Sequence, residues 1–300
     1  MVMTVLKSWG LSMRTEKTLE KTSKPEILGG YSDIPGLCRG GRVDRIIVAL
    51  DERRGKFPVE QLLLCRLKGI RVDDGMTFTE ELAGKLSIEN LNPSSLIFSD
   101  GFKRSIIFKR IKRCLDVVFS IVGLVLAMPI NCLVAVAIRV DSTGPVLYKQ
   151  ERVGEDGKRF QLLKFRSMRE DAEPNGPVWA DPNDDRATRV GKVIRKLRLD
   201  EIPQMVNVLR GEMSFVGPRP ERPFFVEQLR KEIRYYFQRH TVKPGITGWA
   251  QIRYPYGASK EDALEKLKYD FYYVKHRSLF FDLMIMMETI KIVLLSRGAR

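Results

Sequence analysis

"VVFSIVGLVLAMPINCLVAVAI", residues 117–138, decides what kind of protein this is. It holds no charged residue and, as a helix, is long enough to cross a hydrocarbon core of about 30 Å. A buried core helix is the competing reading. Against that stand the length and the basic collar just ahead, "FKRSIIFKRIKRCLD" at residues 102–116. There Lys103, Arg104, Lys109, Arg110, Lys112 and Arg113 suit anionic head groups on a cytoplasmic face. Two details argue against a simple span. Pro129 removes a backbone hydrogen bond at depth, beside Asn131, and predicts a kink. Basic residues also follow the stretch, with Arg139 immediately after and Lys149, Arg152, Lys158 and Arg159 beyond. Positive charge on both flanks predicts a broken, re-entrant helix that dips into one leaflet and returns to the same face.

Outward from this helix, the chain is long and apolar enough to build real cores, with 300 residues of which 44% are hydrophobic. A formal charge of +15 calls for an anionic partner, without choosing among nucleic acid, acidic membrane and phosphorylated substrate. Cys38, Cys65, Cys114 and Cys132 show no CxxC spacing, which predicts a reducing setting and no structural zinc. With only His240 and His276, a histidine-rich metal site or a Ser-His-Asp triad has little to be built from. Any metal is expected to be oxygen-ligated, magnesium or manganese. The first fifteen residues lack the continuous apolar core of a secretory signal.

Ahead of the helix, residues 1–26 read as polar and irregular. "VDRIIVAL" (43–50) reads as a buried strand, "PVEQLLLCRLKG" (58–69) as a helix opened by Pro and closed by Gly, and "IRVDDG" as a second strand. That is a βαβ unit, a partial Rossmann-like α/β domain over residues 27–100, followed by a basic linker or helix at 101–116. It carries no GxGxxG or GxxxxGK[ST] loop, so no nucleotide needed for turnover is expected there. The resulting class is α/β (α+β), with a membrane helix at 117–138 and a further domain at 139–300. Within that domain "GPVLYKQERVGEDGKRFQLLKFRSM" reads as strands joined by a glycine turn. "RATRVGKVIRKLRL" reads as a basic helix with Lys192, Arg195 and Lys196 on one face. "SLFFDLMIMMETIKIVLL" reads as a helix in an interface or against a core, because Asp282, Glu288 and Lys291 discourage a span.

"RKLRLDEIPQMVNVLRGEMSFVGPRP", residues 195–220, puts two acids side by side behind a run of bases. By helix signals Asp200 is an N-cap, Glu201 opens the first turn, Pro203 sits at N3 and Gly211 ends the helix. The helix dipole, Arg195 and Arg198 are expected to favour an ionised Asp200. Such a carboxylate can attack an electrophilic phosphorus, while Glu201 is left to hold a divalent metal. A plain N-cap followed by a dipole-friendly Glu explains the dipeptide alone. It does not call for the neighbouring bases, the membrane helix or "VGPRP".

From about Lys109 onward the sequence resembles the catalytic domain of the monotopic polyprenyl-phosphate phosphoglycosyl transferases, the bacterial sugar transferases that start exopolysaccharide and O-antigen assembly. The resemblance rests on "KRCLD", "DSTGPVLYKQERVGEDGKRFQLLKFRSM", the 195–220 stretch and "VKPGITGWAQI". It implies transfer of a phosphosugar from a UDP-sugar to undecaprenyl phosphate with release of UMP, on the cytoplasmic face of the bacterial inner membrane. It implies Asp200 as nucleophile, Glu201 as magnesium ligand, and Arg195 and Arg219 as phosphate contacts. Lys164 and Arg166 of "KFRSM" and Pro218 and Pro220 of "VGPRP" are implied in substrate binding, and Pro129 is implied as the kink. The family's proline often follows a serine, where Met128 stands here. Residues 27–98 are similar to part of the α/β domain ahead of the catalytic domain in long-form members. Their multi-helix membrane bundle has no counterpart in this sequence, which leaves a shortened chain or a beginning that lies elsewhere. Anionic membrane lipids are the further expected partner. Nucleic acid is not, because the basic helix lacks interleaved aromatics. A membrane-tethered basic binding or scaffold protein is the alternative. The sugar and the state of oligomer assembly are not legible from these residues.

Overall fold

The computed structural model describes residues 2–6, 30–39, 43–49, 57–89, 102, 105–169, 186–254, 257 and 259–295. Lys103 and Arg104 of the basic collar lie outside the described residues. The chain divides into two units, Met1–Gly84 and Lys85–Arg300.

In the first unit the apolar run of "VDRIIVAL" forms a strand at Arg45–Ala49 (β2), followed by helix α2 (Val59–Leu67) and strand β3 (Arg71–Asp74). β2 and β3 are parallel, with Ile46 opposite Val72, so the expected βαβ unit is present. Gly69, at φ 86°, takes the left-handed conformation that ends α2, which glycine adopts without cost. Val2–Leu6 (β1) departs from the irregular reading of residues 1–26: "VMTVL" is β-branched and apolar enough to pair antiparallel with β2. Helix α1 (Ile34–Arg39) supplies Ile34 and Cys38 to a core shared with Ile46, Leu62 and Cys65. Burial, then the neighbouring Cys65, pushes the Cys38 thiol up to about 12, so it behaves as a small hydrophobe. Helix α3 is Gly75–Ala83. The expected boundary near residue 100 moves to residue 84, because Leu86 and Ile88 bury themselves with Phe225, Leu229 and Leu267 in the second unit's core.

The second unit opens on helix α4, Ile106–Asp141, capped by Ser105 Oγ accepting from Phe108 N at 3.1 Å. It is the one described helix long and apolar enough to cross a membrane. The break expected at Pro129 is absent, since α4 runs unbroken through it and takes in the basic collar. Its buried positions are Asp116 and Ser120 on one side of Pro129 and Val134 and Ile138 on the other. Both ends are therefore anchored in the same unit, while the middle is mostly exposed, with Gly123 lying against Met205.

The anchors are polar. Asp116 accepts from Ser214 Oγ and Phe215 N, both at 3.1 Å, and Arg113 donates to the carbonyls of Val208 and Leu209. Lys112 Nζ reaches Asp282 at 2.6 Å. Two of the bases expected to face head groups are thus spent inside the protein. At the far end Val134 and Ile138 pack with Phe165 and Ile194, and Asp141 Oδ2 accepts from Val190 N at 3.0 Å.

Strands β4 (Leu147–Val153) and β5 (Arg159–Phe165) form the expected antiparallel hairpin, in register from Leu147 opposite Phe165 to Val153 opposite Arg159. The basic helix is α5, Arg189–Lys196, and α6 follows at Gln204–Arg210. The fully buried Asn207 of α6 clamps β5, accepting from Leu163 N at 3.0 Å and donating to Gln161 O at 2.7 Å. Strands β6 (Ser214–Val216) and β7 (Gly245–Thr247) are parallel and bring "VGPRP" beside "VKPGITGW". A Cβ on Gly217 would lie 2.3 Å from Lys243 O, and one on Gly245 2.1 Å from Gly217 N, so only glycine fits this approach. Helices α7 (Pro223–Glu232), α8 (Trp249–Arg253), α9 (Lys260–His276) and α10 (Leu279–Leu294) complete the unit. Helix α10 packs on a core with one face, through Phe281, Met284 and Ile285, and leaves another face exposed. Asp282 points inward to Lys112 and Tyr273, while Phe280, Leu283, Met287 and Ile290 stay exposed.

Candidate active site

Three elements converge on the acidic pair. Lys164 comes from the end of β5, Arg219 from the loop after β6, and the pair itself sits on a 3-10 turn, Leu199–Glu201. The turn is entered through Arg198, whose φ of 55° places a non-glycine residue in the left-handed region. Strained positions of this kind cluster at functional sites. The N-cap expectation is corrected here. Pro203 occupies the cap position, α6 starts at Gln204, and Asp200 caps nothing. Proline has no N–H to receive from a cap, and its fixed φ suits a helix entry, so the acids fall one turn earlier.

Asp200 is 8% exposed. Burial raises its carboxyl to about 6, the adjacent Glu201 adds to that, and Lys164, Arg219 and Arg195 pull against it. The expectation that the surrounding bases dominate is therefore reversed, since desolvation and the like charge win. Glu201 goes the other way. Burial pushes it up, but Arg219, Lys164 and Arg198 together outweigh that and hold it below the ordinary range. Its contacts explain the difference: Arg219 lies 3.1 Å from Oε1 and Arg198 3.7 Å from Oε2. Glu201 in turn is the largest influence raising Arg219. Burial brings Lys164 down to about 8, with Arg219 acting in the same direction. Two carboxylates have been driven apart, Glu201 held below its ordinary range and Asp200 raised to about 6, the pattern of a site with divided roles.

The other expected site residues are less uniform. Pro218 and Pro220 act through their backbones, Pro218 O accepting from Gly245 N at 2.9 Å and Pro220 O from Arg152 at 3.1 Å. Arg166 is turned elsewhere, donating to Thr143 O at 2.6 Å and Ser142 O at 2.9 Å beyond the end of α4. Pro129 lies exposed on α4. Two arginines that sequence reasoning passed over hold the arginine-bearing loop. Arg239 donates to Arg219 O at 3.1 Å and is itself paired with the buried Asp270 at 2.7 Å. Arg152 adds the bond to Pro220, and burial lowers its guanidinium to about 10. The signal for Arg152 lay in the quoted stretch "YKQERVG". For Arg239 and Asp270, 31 residues apart on different elements, there was none.

A divalent cation has a limited but suitable donor set. No described cluster of three or more His, Cys, Asp or Glu exists to cage a metal. Magnesium commonly binds through one or two carboxylates together with substrate phosphates and water, and the Asp200–Glu201 pair fits that habit. Of the two, Glu201 is the carboxylate held below its ordinary range and so the better suited to a cation.

The family model for bacterial sugar transferases matches residues 107–296. The chain belongs to the bacterial sugar transferase family. The matched residues take in nearly all of α4, Lys164, the acidic pair and Arg219. Among curated proteins it is 41% identical over 261 residues to the UDP-N-acetylgalactosamine-undecaprenyl-phosphate N-acetylgalactosaminephosphotransferase of Aeromonas hydrophila, covering 86% of this chain and 61% of the relative. It is 39% identical to the UDP-glucose:undecaprenyl-phosphate glucose-1-phosphate transferase of Klebsiella pneumoniae, over 87% of this chain and 57% of that one. For the protein of the same name in Escherichia coli K12 the figures are 37%, 84% and 55%. The chain thus spans about three-fifths of the length of these relatives.

Proposed function

We propose that this chain is a phosphoglycosyl transferase that moves a phosphosugar from a UDP-sugar to undecaprenyl phosphate, the priming step of exopolysaccharide or O-antigen assembly. The observation that carries the reading is the buried Asp200–Glu201 pair, with Lys164 and Arg219 set against it, in the unit that owns the membrane helix. Asp200 attacks the sugar-bearing phosphorus, a new P–O bond forms to its carboxylate, and the phosphoanhydride bond breaks so that UMP leaves with the electron pair. The lipid phosphate then attacks the same phosphorus and displaces Asp200, giving the lipid diphosphate sugar and restoring the carboxylate. Lys164 and Arg219 are placed to stabilise charge growing on the phosphoryl oxygens. Glu201 would hold a magnesium ion, which when bound would supply further neutralisation of the diphosphate.

Several features support a monotopic arrangement on the cytoplasmic face of the inner membrane. Between its buried anchors α4 exposes Ile121, Val122, Val125, Leu126 and Leu133. Both ends return to one unit, and α10 adds an exposed apolar face. A continuous helix anchored at both ends in one unit lies along one face of the membrane with its exposed apolar side chains in the near leaflet, which brings a water-soluble donor and a lipid acceptor to the same interface. The test is UMP release by purified protein with magnesium, undecaprenyl phosphate and a panel of UDP-sugars. Acceptor-dependent UMP from at least one donor is expected; none from glucose, galactose or their N-acetylamino forms overturns the reading.

A further inference from the structure

Arg219 stands in "VGPRPERP", residues 216–223, where prolines on either side of it remove two backbone donors from the loop. The loop is fixed through its carbonyls instead. Four in succession are taken by four different donors: Pro218 O by Gly245 N at 2.9 Å, Arg219 O by Arg239 Nη2 at 3.1 Å, Pro220 O by Arg152 Nη1 at 3.1 Å and Glu221 O by Val153 N at 2.9 Å. Two of those donors are guanidinium groups. Arg239 is 5% exposed, so it meets the site through the Arg219 carbonyl and not through a substrate atom.

What aims Arg239 is buried with it. The same Nη2 lies 2.7 Å from Asp270 Oδ2, and Nη1 donates to Tyr236 Oη at 2.9 Å. Asp270 and Tyr236 are 1% and 2% exposed. A buried ion pair is a poor source of stability, because desolvation of both charges offsets their attraction. Direction is what this one supplies: Nη2 has two N–H bonds, and with one drawn to the carboxylate the other is left for Arg219 O. Helix α9 carries Asp270 and Tyr273 three residues apart on one buried face, and Tyr273 Oη donates to Val216 O at 3.0 Å. One helix therefore grips the loop at Val216 and, through Arg239, at Arg219.

We propose that Asp270 is a positioning residue for the transfer: acting through Arg239, it sets where the Arg219 guanidinium meets the phosphoryl group. This rests on the phosphoglycosyl transfer reading above, and the experiment separates the two. It is a double-mutant cycle on the full chain in the UMP assay. Asp270→Asn keeps the size of the side chain and removes the charge that holds Nη2. Its kcat is expected to fall on the order of tenfold to a hundredfold, as for a misplaced contact, with KM for the donor within about twofold. Arg219→Ala keeps the carbonyl and removes the guanidinium, so in that background Asp270→Asn should cost less than about twofold. A merely structural role costs the same factor in both backgrounds. No UMP from the unaltered chain removes the function and this inference with it; UMP with equal costs in the two backgrounds, or an unchanged kcat in Asp270→Asn, removes the inference alone. If Asp270→Asn loses its Tm, Tyr236→Phe, which frees only Nη1, carries the same cycle with a loss of about fivefold, the worth of one hydrogen bond. Hydrogen exchange gives a readout apart from activity: the peptide spanning residues 214–225 should exchange about fivefold faster in whichever of the two variants folds, with β5 unchanged. Equal exchange in that peptide overturns the proposal.

Discussion

At residue scale the site is governed by opposed shifts in neighbouring groups. A carboxyl near 6 and an ammonium near 8 predict a bell-shaped kcat/KM profile. The acid limb marks ionisation of Asp200, and the alkaline limb marks loss of charge on Lys164. Lys164→Arg should leave the acid limb in place and move the alkaline one above pH 9 or so, as the guanidinium keeps its proton; an unchanged alkaline limb would point to another group. The same burial has a cost in stability. Asp200 holds its proton to about 6 when folded but loses it near the ordinary 3.8 when unfolded. Stability from this group therefore falls as pH rises from about 4 to about 6, and the full penalty applies above that. Asp200→Asn should thus be more stable than the parent at pH 7.5, by ~1–3 kcal/mol, with the gap closing at pH 4. A thermal melt in which the Asn variant is the weaker at pH 7.5 contradicts this. The acidic pair was legible in the sequence because two adjacent carboxylates among bases are unusual. Its ionisation was not, because burial depends on β5 and the loop after β6, which only the folded chain brings together.

At the scale of elements, α4 shows both what hydropathy patterning reveals and where it stops. Its length, its apolar content and its basic collar follow from local composition. The destination of that collar does not, since Lys112 and Arg113 find Asp282 and the end of α6 across nearly a hundred residues or more. Pro129 was read as a break, yet the helix continues through it, held on both sides by buried contacts at Asp116, Ser120, Val134 and Ile138. Those anchors predict that both ends face the same side of the membrane. In a background with Cys38 and Cys65 replaced by Ala and Cys114 and Cys132 by Ser, single cysteines at Ser105 and Thr143 should resist an impermeant maleimide in intact cells and react in inverted vesicles. Labelling of the Thr143→Cys protein from outside the cell means the helix crosses.

On the scale of the whole molecule, the acidic pair, its cations and the membrane helix all belong to the unit Lys85–Arg300, while the βαβ unit ahead of it carries none of them. Hairpin, basic helix and βαβ unit were legible because each obeys a local period. The pairing of β6 with β7 was not, although the glycines that allow it stood in plain sight in "VGPRP" and "VKPGITGW". Their function is a close approach that only the fold defines. The central claim is that Asp200 carries the phosphosugar between donor and lipid. Mass spectrometry of the full chain, incubated with magnesium and its UDP-sugar but no acceptor, tests it most directly. The account predicts a sugar-phosphate adduct on the peptide containing Asp200, with UMP released in matching amount and no adduct in Asp200→Asn. An unmodified peptide in a protein that turns over once lipid is added, or full turnover by Asp200→Asn, contradicts it.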